Sequence, residues 1–312
     1  MDRDSVQLSI VGDVGVDLVM GTLDGWPQIG TELLLPHSEL RAGGSGANAA
    51  LAARHIGVPA RLVSATGNDT LGHWLAGQFH GIRADLQTCD SDTTISVGLM
   101  HANGERNFFT TGGHLQQFSA DHVLEHLHAS TSPSIALFTA PFLLPALRGR
   151  YEELLSEAVN RGFQVALDTG WPPEGWHPHV RKEVQRWLRF CDHLLINELE
   201  ACSIAGTNDL DAALPMIEWH LKPSASLVVK VGARGAIGRE RNRYAQRTPA
   251  ATGAIFDTIG AGDAFNAGYL AARLRGASLA HSLEAGCNTA QAILPRFPRK
   301  AIHAGELAFC AS

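Results

Sequence analysis

No apolar run in the 312-residue chain approaches the roughly eighteen residues that a membrane-crossing helix needs, which excludes a bilayer-spanning segment of that kind. The beginning of the sequence has mixed charge and runs straight into a strand pattern, without the basic and apolar regions of a secretory signal. A cytoplasmic location is therefore expected. The cysteines (Cys89, Cys191, Cys202, Cys287 and Cys310) are odd in number, widely spaced and never arranged as C-x-x-C, which argues against a disulfide framework and predicts reduced thiols. No dense Lys/Arg block accompanies the formal net charge of −6. The electrostatic footprint of a nucleic-acid binder is missing, and small molecules are the expected partners. Also absent are internal repeats, low-complexity tracts and any G-x-x-x-x-G-K-[ST] phosphate loop. His177 and His179 lie in a Pro-rich segment of the kind that usually carries solvated histidines, and no function is assigned to them.

What the chain does have is a regular alternation of apolar strand patterns and helical stretches. Its length lies near the upper end of single domains, so one core with an appendage is expected. Residues 7–11 read as a strand ended by Gly12, and 33–35 as a second short strand. The cluster Gly43-Gly44-Ser45-Gly46 feeds a helix over 47–55, closed by Gly57 with Pro59 beyond it. A buried strand is predicted at 61–65 and a helix at 71–79. Residues 93–100 and 106–111 flank Asn103-Gly104, a turn of the kind that closes a hairpin. Further strands are predicted at 135–139, 164–168, 193–196 and 227–231, alternating with helices at 146–161, 179–190, 198–205 and 209–221. Such alternation implies an α/β domain with a mostly parallel sheet, and the hairpin segments read as an insertion in it.

The strongest single feature is Asp257-Thr258-Ile259-Gly260-Ala261-Gly262-Asp263-Ala264-Phe265, which opens a helical run over 266–273. Gly260 and Gly262 let the backbone turn sharply, so that N–H groups converge at a helix N-terminus and favour an anion. A carboxylate inside such a nest makes chemical sense when it takes a proton from the group that attacks the anion. Asp263 is the candidate general base. A glycine turn with an aspartate N-cap is the plain structural alternative.

These residues resemble the second signature of the ribokinase family of carbohydrate kinases, also called the phosphofructokinase B family, with Ile259 at its variable place. The first signature of that family resembles Gly43-Gly44-Ser45-Gly46-Ala47-Asn48, continuing through Gly57 to Gly67-Asn68-Asp69 and Gly72. The resemblance implies a ribokinase-like three-layer α/β/α sandwich with a small β-sheet lid. Residues 1–13, 41–89 and 113–312 would form the core, and 14–40 and 90–112 the lid. It also implies an ATP- and Mg²⁺-dependent kinase acting on a hydroxyl of a small sugar or sugar derivative. In that frame Gly260, Ala261 and Gly262 steady the transferring phosphoryl group beside Asp263. Asp17, Gly43, Gly44 and Asn48 bind the acceptor. Asn197 and Glu200 match an Asn-x-x-Glu motif in which Asn197 approaches the phosphates and Glu200 serves Mg²⁺ through water; the same spacing is also that of a capping box. Lys230 approaches the ATP phosphates, Gly232 and Gly235 clear room for the adenine and ribose, and Asn288 is a further nucleotide candidate. Asp257 supports a monovalent cation such as K⁺.

Ser45 stands where ribokinases usually carry lysine, whereas Lys230 and the segment Gly104-Glu105-Arg106-Asn107-Phe108-Phe109 are similar to fructokinases and ketodeoxygluconate kinases. A hexose or keto-sugar acid follows as acceptor, with Arg106 facing a substrate carboxylate. A nucleoside kinase on the same fold is the enzymatic alternative, and a non-catalytic sugar- or nucleotide-binding regulator the other. A dinucleotide-binding dehydrogenase is disfavoured, because residues 43–48 lack the following glycine and the distant ribose-binding acid. A homodimer formed through the lid is expected, since a small sheet otherwise leaves one face exposed.

Overall fold

The computed structural model describes residues 8–102, 106–128, 133–240, 243–247, 249 and 258–293. In chain order the first elements are β1 (Leu8–Val11), β2 (Gly15–Leu23), β3 (His37–Gly43), α1 (Ser45–His55), β4 (Ala60–Gly67), α2 (Thr70–Gly77) and β5 (Arg83–Cys89). Next come β6 (Ile95–His101), β7 (Arg106–Thr110), α3 (Ala120–His126), β8 (Ile135–Thr139), α4 (Pro145–Arg148), α5 (Tyr151–Asn160), β9 (Gln164–Asp168) and α6 (Pro178–Leu188). The chain continues with β10 (His193–Asn197), α7 (Glu198–Ala205), α8 (Leu210–Glu218), β11 (Ser226–Lys230), β12 (Ala236–Glu240), β13 (Arg243–Arg247), α9 (Ala261–Leu274) and α10 (Leu279–Ile293).

The strands of the large sheet lie in the order β13-β12-β11-β10-β9-β8-β1-β4-β5. All pairings from β11 to β5 are parallel, and β12 and β13 add an antiparallel edge. Strands covered on both faces read as unbroken apolar runs: every residue of β1 and β8 is buried. Two apolar cores sandwich the sheet. One packs Phe138, Tyr151, Trp187 and Ile217 under α3 to α8, and the other packs Ile10, Ala50, Phe265 and Leu283 under α1, α2, α9 and α10. Each fully buried leucine or phenylalanine contributes about 1.5–3 kcal/mol. The chain winds outward from β1 in one direction through β4 and in the other through β8. The carboxyl ends of β1 and β8 therefore flank a crevice of the kind where ligands bind in open α/β sheets.

Strands β3-β2-β6-β7 form a second sheet. Its register pairs Asp17 with Ser96 and Met100 with Arg106, so Asp17 and Arg106 share one face; Leu40, Leu18, Val97 and Phe109 lie on the other. The links from the core are fastened by two side chains. Asp69 caps α2 through Gly72 N–H and accepts from both the N–H and the hydroxyl of Thr93. His114 accepts from Thr94 N–H at 3.0 Å through Nδ1 and donates through Nε2 to the carbonyl of Val14 at 3.1 Å, which fixes its tautomer.

The strand expected at 33–35 is not formed. Leu34 is 88% exposed, and pairing with β2 begins only after Pro36, at His37. An apolar triplet with no sheet to bury it gains nothing from strand geometry. The helix expected over 146–161 is broken into α4 and α5 around Gly149. Strands β2, β3, β5, β12 and β13 and helix α3 had no counterpart in the sequence reading. The Asn103-Gly104 turn lies outside the described residues, although the two strands that it joins pair antiparallel. Cys89, Cys191, Cys202 and Cys287 are free thiols; Cys310 lies outside the described residues. Among the described residues no helix is long and apolar enough to cross a membrane.

Candidate active site

Parallel strands present their carboxyl ends to one edge, and here those ends carry polar groups: Asp13 just after β1, Asp168 on β9, Asn197 on β10 and Lys230 on β11. Helices α1 and α9 begin at the same edge. Gly260 precedes α9 with φ 74°, a left-handed conformation that glycine adopts without strain, and Asp263 stands in the first turn. Its Oδ2 accepts a hydrogen bond from Asn48 Nδ2 of α1 at 3.0 Å. Burial, reinforced by the charge of Asp168, pushes the Asp263 carboxyl up to about 7, while Lys230 and the Asn48 bond pull it down. A carboxylate poised there can hold and release a proton near neutrality. One expectation needs correction. The N–H of Ala261 is turned onto the carbonyl of Thr258 at 3.2 Å, because the turn closes on itself before the helix starts. Among the described residues the N–H groups of Gly260 and Gly262 have no protein acceptor, so the anion cup is narrower than the sequence implied.

The first signature is explained by close approach. A Cβ on Gly43 would sit 2.0 Å from the Asp17 carboxylate carbon, and one on Gly44, which has φ 93°, would sit 2.7 Å from the carbonyl oxygen of Asp13. The two glycines thus let β3 pass directly over Asp17 and turn into α1. Asp13 supplies the cap that Gly44 cannot: its Oδ1 accepts from Ser45 N–H at 2.9 Å and Gly46 N–H at 3.3 Å. Burial still raises its pKa to about 6, against those bonds. Gly67 and Gly72 are structural, since a Cβ on Gly72 would strike the Gly67 carbonyl oxygen at 2.0 Å.

Asn197 and Glu200 form a complete capping box at the start of α7, with Asn197 N–H to Glu200 Oε2 at 2.9 Å and Glu200 N–H to Asn197 Oδ1 at 2.8 Å. Glu200 is buried; burial and the charge of Asp168 push it up to about 7, with Lys230 opposing. Asn197, Cys202, Asn208, Lys230 and Gly232 line a cavity of about 520 Å³, a volume suited to a small organic ligand. Gly235 is not part of its lining. It closes a tight turn instead, accepting from Val231 N–H at 2.8 Å. Asn288 is exposed on α10, with no hydrogen bond to this cluster among the described residues.

Lys230 is committed to two neighbours. Its ammonium lies 2.7 Å from Asp168 Oδ2 and 3.2 Å from Asn266 Oδ1, and Asn266 Nδ2 donates to the same Asp168 oxygen at 2.6 Å. Burial works against the ammonium, but Asp168 and Glu200 outweigh it and hold the Lys230 pKa above the ordinary lysine value. Arg106, expected to face a substrate carboxylate, reaches from β7 to Thr258 Oγ1 at 2.5 Å, joining the small sheet to the glycine loop. Asp257 lies outside the described residues.

Asp13, Asp168 and Asn266 escaped the sequence reading. The first two had a usable signal, a polar residue closing an apolar strand; Asn266, inside a helix, had none.

A profile of the pfkB family carbohydrate kinases matches residues 9–297, and the chain belongs to that family. It is 26% identical over 258 residues to a fructokinase of Salmonella typhimurium, covering 76% of this chain and 80% of that protein. It is 25% identical over 284 residues to a nucleoside kinase of Methanothermobacter thermautotrophicus, covering 89% of this chain and 85% of that protein. The Arabidopsis thaliana ribokinase complexed with ribose and ATP shares the fold, with a TM-score of 0.77 at 20% identity and 97% of each chain covered.

Proposed function

We propose that this kinase transfers the terminal phosphoryl group of ATP to a hydroxyl of a small sugar or sugar derivative, with Asp263 as general base. The observation that carries the reading is the carboxylate of Asp263 in the first turn of α9, oriented by Asn48 and adjoining the N–H groups of Gly260 and Gly262, which have no protein acceptor among the described residues. Asp17, on the face of the small sheet that also carries Arg106, accepts hydrogen bonds from acceptor hydroxyls. Asp263 takes the proton of the attacking hydroxyl, and the N–H groups receive charge that develops on the transferred group. The small sheet acts as a lid over the acceptor. ATP consumption measured against a panel of sugars, sugar acids and nucleosides tests the reading; no acceptor-dependent turnover with any of them would leave only a binding protein.

The cavity beside Asn197, Lys230 and Gly232 is assigned to the nucleotide. Among the described residues no three His, Cys, Asp or Glu side chains converge as a protein cage for a divalent ion. That suits Mg²⁺, which keeps several waters and relies on phosphate oxygens, with Glu200 as its outer partner. When bound, Mg²⁺ neutralises phosphate charge. Glu200→Gln preserves the cap, because glutamine also accepts from the Asn197 N–H. The variant is expected to need several-fold more Mg²⁺ for half-maximal rate with no loss of Tm. An unaltered Mg²⁺ dependence would reduce Glu200 to a helix cap.

A hexose or keto-sugar acid is the proposed acceptor, Arg106 being a cation on the lid face that a sugar acid would meet. The nucleoside kinase relative supports keeping nucleosides in the panel. The outer lid face exposes Leu40 and Phe109, and Trp26 packs its edge against Phe109. Pairing of two lids would cover this apolar surface. A dimeric mass by light scattering is expected, and Phe109→Glu should shift it toward the monomer; a monomeric wild type removes the proposal.

A further inference from the structure

Resting on the reading of Asp263 as the base, we propose that Asp168, Lys230 and Asn266 form a fixed internal ion pair that sets the proton affinity of Asp263. Asp168 makes the base stronger, and Lys230 keeps it charged. Lys230 is then a positioning residue first, rather than primarily a hand on the nucleotide.

The geometry is specific. Asn266 lies three residues after Asp263 on α9, so the two share a helical face. Its amide bridges the pair, accepting from the ammonium of Lys230 and donating to Asp168. The other Asp168 oxygen, Oδ1, accepts from Gly170 N–H at 3.2 Å, so the carboxylate is tied on both sides. A Cβ built on Gly262 would come within 3.5 Å of Lys230 Nζ, which puts the ammonium against the residue preceding the base. Lysine has three donors. Two are spent on Asp168 and Asn266, and a charge so restrained acts through space without the side-chain entropy of a free lysine.

Sign and size follow from the surroundings. Facing Asp263 are Asn48 from α1, Asp13 beyond β1, Asp168 from β9 and Lys230 from β11, and Glu200 of α7 acts on Lys230. Helix α10 packs on α9; its titratable members are His281 and Glu284, which are exposed, and Cys287, a buried thiol that burial pushes up to about 11 and so leaves uncharged. In this confined space Asp168 raises the affinity of Asp263 for a proton and Lys230 lowers it, the former with the larger influence. Removing each partner must therefore move the base in opposite directions, a signature that loss of packing cannot imitate.

The test is a ¹³C carboxyl NMR titration of the full-length protein labelled at aspartate, without nucleotide or acceptor, with the Asp263 resonance assigned from Asp263→Asn. Lys230→Met is expected to raise the Asp263 midpoint, and Asp168→Asn to lower it, each by at least about one pH unit, a tenfold change in proton affinity. Where a single variant leaves a buried charge unpaired and does not fold, Asp168→Asn/Lys230→Gln removes both charges, and its midpoint is expected below that of the wild type. Unmoved midpoints, or shifts of the same sign in both single variants, overturn the proposal. So does a Lys230→Met protein that loses ATP affinity with its Asp263 midpoint unchanged, the mark of a phosphate ligand. Because the titration needs no turnover, failure to find an acceptor would sink the kinase mechanism without touching this result.

Discussion

Asp263→Asn is expected to lower kcat by about 10²–10⁴-fold while leaving ATP binding intact, the usual cost of removing a general base. Asparagine retains the size of the side chain and an oxygen for Asn48 Nδ2, so the first turn of α9 should be undisturbed. The same substitution carries an independent thermodynamic signature. The Asp263 carboxyl lies at about 7 in the folded protein, against an ordinary value of 3.8. Between those two pH values the folded state holds a proton that the unfolded chain has released, so this group's contribution to stability falls as pH rises through that window. Asparagine does not titrate. The Tm of the variant relative to wild type should therefore climb from pH 5 to pH 8, by about 2 °C or more. A side chain that costs stability and is nevertheless present at the mouth of a nest fits a catalytic post. Steady-state kinetics and calorimetry at both pH values check the two parts; near-normal turnover would remove Asp263 from the reaction.

Gly43→Ala should lower kcat/KM for the acceptor about ten- to a hundredfold, through KM more than kcat, with the KM for ATP unchanged. The added methyl group would lie 2.0–2.2 Å from all three atoms of the Asp17 carboxylate. The cheapest relief is rotation of Asp17 away from the crevice, which forfeits charge-assisted hydrogen bonds to acceptor hydroxyls worth about 1.5–3 kcal/mol. Asp17→Asn should reproduce the direction of the effect with a smaller size. If Gly43→Ala instead lowers kcat with every KM unchanged, Asp17 does not hold the acceptor.

Much of the chain was legible because its signals are local. The buried strands β8 and β9 coincide with their apolar runs, because strands covered on both faces need no alternation. Helix α7 was marked by its own cap and by Gly206 at its end. The partly exposed strands β3 and β5 carry mixed patterns that local reading cannot separate from loop, and the triplet at 33–35 shows the converse error.

By itself the sequence determined the family, most of the buried core strands and their helices and the turn that delivers Asp263, since each depends on residues adjacent in the chain. Tertiary structure alone decided the company that Asp263 keeps. Asn48 and Asp263 are 215 positions apart, Asp168 and Asn266 98, and Arg106 and Thr258 152. A hydrogen bond over such separations leaves no periodicity behind. It exists because a parallel sheet aligns the carboxyl ends of strands drawn from the whole chain, and that alignment also brings Lys230 to Asp168.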